Sequence, residues 1–170
     1  MTRLMLAVIG GLAWMLAQTA LAQQAALKNW FDDPFFQVSD GIPQCPQPLG
    51  PLMTESEMRS ESHSRIERGT SCWLAGQCTE PNAYRYDAAI AKAIRDRFAA
   101  SRLFKDTSLW ITVKRRFVWV EGCVANTGEK TLLEAFMQSV PNVERVLLNV
   151  ASDLEEKLPY SALENSKAVQ

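Results

Sequence analysis

The stretch from Ser108 to Val150, SLWITVKRRFVWVEGCVANTGEKTLLEAFMQSVPNVERVLLNV, constrains the fold more than any other part of the chain. Apolar residues alternate with period two on both sides of Arg115-Arg116, which predicts two strands joined by a turn. Leu109, Ile111 and Val113 give the first strand its core face, and Val118 and Val120 give the second strand the same. The other face then carries Trp110, Phe117, Trp119, Glu121 and Cys123. Leu132, Leu133, Phe136, Met137 and Val140 recur at helical spacing, with Thr127 placed to cap the helix and Pro141 to end it. Val146, Leu148 and Val150 share one face of a third strand.

Upstream, Ile90, Ile94 and Phe98 recur every four residues and predict a helix over Tyr84–Leu103, with Asn82 or Asp87 as its cap. Thr54 and Glu57 have capping-box spacing, and Gly69 is a natural stop, so Thr54–Arg68 reads as a surface helix. Thr70–Pro81 then reads as a loop in which Cys72 and Cys78 enclose a buried Trp73. Before it, Trp30, Phe31, Phe35 and Phe36 crowd together ahead of a run rich in proline and glycine. That composition predicts an extended segment with aromatic anchors. Ala151–Gln170 is polar and reads as a flexible tail.

Arg3, the apolar run Leu4–Ala17 and the small residues of Ala20-Leu21-Ala22 have the layout of a secretory signal peptide cleaved near Ala22. A retained anchor is the alternative, but the run is shorter than the roughly 20 residues a spanning helix needs. Four cysteines in an exported chain read as two disulfides. Zinc is the rival, although no Cys-x-x-Cys pair occurs and His63 is the only histidine. The near-neutral balance of 18 basic and 19 acidic residues argues against nucleic acid as a partner. His63 has no nucleophile motif near it, and Glu55, Glu57, Glu61 and Glu67 form a charged helix face. No enzyme activity, cofactor, metal or small-molecule substrate is therefore expected.

The order helix, hairpin, helix, strand resembles the BON domain of bacterial osmotically inducible and nodulation-related envelope proteins. Val118, Val120, Gly122 and Val124 fit that family's second strand, and Val140, Val143, Val146 and Val150 fit its ending. Two departures stand out: Arg115-Arg116 occupy a turn that often holds glycine, and Asn142 replaces the glycine before the final motif. Asn can enter the left-handed region that this position uses. Only one copy is present, whereas members often carry two. The resemblance implies an α+β fold, a two-layer α-β-β-α-β sandwich with a three-stranded sheet and two helices on one face. Here a disulfide-stapled N-terminal extension would be added. The expected divisions are 1–22 signal peptide, 23–81 extension, 82–150 BON-like domain and 151–170 tail. The resemblance also implies a non-enzymatic periplasmic role, with phospholipid surfaces as the usual ligand.

Lys114, Arg115 and Arg116 beside Trp110 and Trp119 are the candidate contact residues, suited to an anionic phospholipid surface or an envelope protein partner. The plainer reading is a solvated turn next to a buried aromatic row. A scaffold role in a secretion or channel ring is the second functional class, and a thiol-redox protein the third. If the aromatic row faces away from the helices, Trp30, Phe31, Phe35, Phe36 and Trp73 could cover it. Cys123 lies on that same face, at the strand end remote from the helix start that Cys78 precedes. A helix of some 15 residues spans about 22 Å, well beyond the roughly 4.4–6.8 Å that a disulfide tolerates between Cα atoms. The expected pairs are therefore Cys72–Cys78 and Cys45–Cys123.

Overall fold

A computed structural model describes residues 26–163. Its elements run β1 (Phe35–Asp40), α1 (Glu55–Leu74), a single 3-10 turn over Ala83–Tyr86, and α2 (Asp87–Ala100). They continue with β2 (Ser108–Lys114), β3 (Phe117–Cys123), α3 (Gly128–Gln138) and β4 (Arg145–Ala151). The strands lie in the order β1-β2-β3-β4. β1/β2 and β2/β3 are antiparallel, and β4 runs parallel to β3 after the α3 crossover. The leader expected at residues 1–22 lies outside the described residues.

The core sits between the sheet and the pair α2 and α3. Leu109, Ile111, Val113, Val118 and Val120 are buried against Ile90, Ala91 and Ile94 of α2 and Leu133 and Met137 of α3. Phe98, Phe104 and Phe136 close one end with ring centroids 5.1–5.7 Å apart. Gly122 is required here: its φ is +132°, and a Cβ would lie 2.0 Å from the Ser108 carbonyl oxygen.

The sheet has four strands, not the expected three. Phe35–Asp40 pairs with β2, placing Phe36 beside Ile111 and Phe35 beside Thr112. The alternation in FFQVSD is short and borders a proline-rich run, which hides a strand that only the β2 edge stabilises. α1 is also longer than expected. It passes through Gly69, where a Cβ would meet the Asn82 side chain at 2.9 Å, so that glycine serves close packing. The helix ends at Leu74, followed by Gly76 at φ +68°. Cys72 therefore sits in the last turn of α1, and Trp73 is 48% exposed, not buried.

Two further expectations give way to other contacts. Thr127 makes no side-chain cap. Asn126 Oδ1 accepts the Glu129 N–H, and Glu129 accepts the Ala125 N–H. The segment read as a flexible tail is docked as far as Leu163. Leu49 N–H donates to the Ser161 carbonyl and Leu163 N–H to the Gln47 carbonyl, at 2.7 and 2.8 Å. Tyr160 and Ala162 are buried there.

Arg115 and Arg116 form the two-residue turn between β2 and β3. Arg115 and Arg116 have φ of +55° and +66°, left-handed values that favour Gly or Asn over arginine. The Asp87 carboxylate, 4% exposed at the start of α2, accepts both of their N–H groups at 2.7 Å. Asn142, at φ +67°, takes the left-handed position that its chemistry tolerates.

Removing the Asp87 acceptors in D87A should cost about 2–3 kcal/mol in urea unfolding, because two N–H groups of a strained turn lose their partners. Burial pushes this carboxyl up to about 6, against the pull of the two N–H donors. Between its ordinary value of about 4 and about 6, the folded chain holds a proton that the unfolded chain has released. Its contribution to stability therefore falls as pH rises through that window and is level above it. D87N should abolish this slope.

Candidate binding site

Register places the side chains of the helix-free face in rows. Lys114, Phe117 and Arg145 form one row, Thr112, Trp119 and Leu147 the next, then Trp110, Glu121 and Asn149, and last Ser108, Cys123 and Ala151. The last row is buried under the N-terminal segment and the docked tail. Cys45 is bonded to Cys123 with Cα atoms 5.8 Å apart. Tyr160 lies against both sulfurs and donates its hydroxyl to the Pro46 carbonyl at 2.8 Å. Cys72 is bonded to Cys78, with Cα atoms 5.5 Å apart.

The expected aromatic cover is only partly realised. Phe35 lies on this face with Gly50 against its ring. Phe36 faces the core, and Trp30 donates its indole N–H to the Met53 carbonyl. Phe31 stacks on the Arg65 guanidinium instead. Trp110, Phe117, Trp119 and Glu121 are left half-buried.

α1 is held beside the hairpin end by an ion-pair relay. Arg65 forms a fork with Asp33 at 2.7 and 2.9 Å, sandwiched between the Phe31 and Tyr84 rings. It also reaches Glu61 at 3.3 Å, and Lys114 reaches the same carboxylate at 3.1 Å. Burial works to raise the Glu61 carboxyl, but the two cations bring it below its ordinary value.

Between α1 and the sheet lies an open cleft of about 590 Å³. Phe117 and Trp119 line it from the sheet, Ser60, Ser64 and Arg68 from the helix, and Arg115 from the turn. Its two acids are already engaged: Glu57 accepts from the backbone and hydroxyl of Thr54, and Glu61 holds the relay. Arg68 and Arg115 have no carboxylate within ion-pair distance among the described residues. Arg115 lies 4.5 Å over the Phe117 ring. The cleft can therefore present two guanidiniums beside aromatic rings, a combination suited to an anionic group with an apolar portion.

The five residues selected from sequence do not share one surface. Lys114, Arg115 and Trp119 meet in the cleft. Arg116 is turned away, its side chain 16% exposed, with Nε donating to the Asn142 carbonyl and the guanidinium 3.7 Å from Glu144. Trp110 sits mid-sheet opposite Glu121. Arg68, Ser60 and Ser64 escaped selection because nothing local in a polar helix indicates which strand it will lie beside. His63 is exposed on α1.

A family model described as BON domain matches residues 86–161, from the turn before α2 through the docked tail. No curated protein and no solved structure matches the chain. β1 and α1 lie outside the matched range, so the cleft has one wall from the domain and one from the extension.

The two cation anchors of the relay should differ in weight. R65A leaves Asp33 buried without a partner and should cost about 3–5 kcal/mol in chemical unfolding. K114A breaks a more exposed pair and should cost under about 1 kcal/mol.

Proposed function

We propose that the BON domain at residues 86–161 of this chain works as a non-enzymatic binding module of the bacterial cell envelope, engaging anionic phospholipid surfaces through the cleft beside α1. The observation that carries this reading is the pair Arg68 and Arg115, which line a cleft with Phe117 and Trp119 and have no carboxylate partner among the described residues. BON domains are binding modules at the family level, and phospholipid association fits cations set over aromatic rings at a lipid–water interface. Periplasmic placement is supported by the two disulfides and by the leader-like start of the sequence. No helix among the described residues is long and apolar enough to cross a membrane.

A second reading, a scaffold in an envelope assembly, is favoured by the sheet edges. β1 and β4 end the strand order, so each offers an outer edge to another chain.

Flotation with vesicles rich in anionic phospholipid separates the two. The chain should float at low salt and lose flotation as salt is raised. With each surface cation contributing about 1 kcal/mol, R68A/R115A should weaken partitioning roughly thirtyfold. Absence of flotation at low salt would overturn the lipid reading and favour the scaffold.

A further inference from the structure

We infer that Glu121, flanked by Trp110, Trp119 and Tyr160 on the helix-free face of the sheet, anchors a second site that takes an organic ammonium group. This goes beyond the phospholipid reading and centres on a different charged group, sharing only Trp119 with the cleft.

Glu121 stands directly opposite Trp110 across the β2/β3 pair, and Trp119 precedes it by two residues on the same face. Directly opposed side chains have Cβ atoms about 4.5–5.5 Å apart, so the carboxylate and the first indole are immediate neighbours. Tyr160 approaches from the docked tail. Burial and the Glu121 charge together push its phenol up to about 12. Three aromatic residues therefore neighbour one acid.

Nothing in the fold satisfies that acid. Among the described residues Glu121 has neither a hydrogen-bond donor nor a cation as partner. Its row continues into Asn149 on β4 and Gln37 on β1, both uncharged. The cations of this face, Lys114 and Arg145, lie in the row of Phe117, four residues away and about 13 Å along the strand. Burial raises the Glu121 carboxyl above its ordinary value with no opposing contact. Yet the side chain is only half-buried, so a ligand can reach it.

A half-desolvated carboxylate among aromatic faces attracts a cation by charge and by the ring quadrupoles together. An alkylated ammonium suits it better than a metal ion. Its apolar shell packs on indole, whereas a metal needs several oxygen ligands and one carboxylate supplies too few. No group of acids, histidines or cysteines among the described residues could hold a metal.

The test is tryptophan fluorescence of the purified chain titrated with choline chloride, with sodium chloride at matched ionic strength as control. Phosphatidylcholine vesicles, which carry the same ammonium group, form a parallel arm. We expect a saturable change that is at least about tenfold weaker in E121Q and unaltered in R68A/R115A. E121Q removes a desolvated charge at constant shape, so its thermal melt should not fall below that of the parent chain. A response to vesicles alone, lost in E121Q, supports the site and assigns the ammonium to a lipid headgroup. No response in either arm, or one equally strong in E121Q, overturns it. Because R68A/R115A reports only on the cleft, failure of this site is distinguishable from failure of the phospholipid reading.

Discussion

The Asp87 carboxylate and the two arginine N–H groups it binds form the contact on which the domain's geometry depends. The type I′ turn of this two-residue hairpin needs positive φ at both central positions, and neither Arg115 nor Arg116 favours it. The acceptor comes from the first turn of α2, which ties that helix start to the tip of β2 and β3. One interaction thus fixes the turn, the strand register and the position of α2 over the sheet. Register in turn decides which side chains face the helices. A slip of one residue would send Ile111 and Val120 to the open face and Trp110 and Trp119 into the core.

The N-terminal extension is joined to this domain by three kinds of contact. β1 adds backbone hydrogen bonds at one sheet edge. The Cys45–Cys123 bridge and Tyr160 seal the row of Cys123. The chain of ions from Asp33 through Arg65 and Glu61 to Lys114 sets α1 beside the turn. Between the sealed row and α1 the sheet face stays half-open, with its aromatics accessible and Glu121 among them. Complete coverage would have needed more aromatics on that face than Phe35, and Phe36 and Phe31 are committed elsewhere.

Much of the domain was legible because its signals are local. Period two in SLWITVK and FVWVEGC, helical spacing in TLLEAFMQSV and the stop at Pro141 each depend on a few neighbouring residues. So did the motif around Gly122, whose φ and close approach to Ser108 explain why glycine stands there. Cys123 could be assigned to the helix-free face by period alone, and Cys72 and Cys78 were close enough in sequence to bridge. Asn142 was readable because its side chain suits a left-handed backbone wherever it occurs.

The rest depended on partners distant in sequence. β1 is a strand only because β2 offers an edge, and α1 passes through Gly69 only because Asn82 packs there. Asp87 looked like a helix cap and became the clamp of a turn 28 residues away. The tail is docked as far as Leu163 because Pro48 and its neighbours pair with it across more than a hundred residues. The candidate sites are of this second kind. Which cations share a cleft, and that Glu121 lacks a partner, are properties of packing. The sequence by itself determined β2, β3 and β4, the crossover helix and the face on which their side chains lie, because backbone periodicity is local. Only the tertiary structure decided what each face meets, because charge pairing and burial depend on groups that the chain brings together from afar.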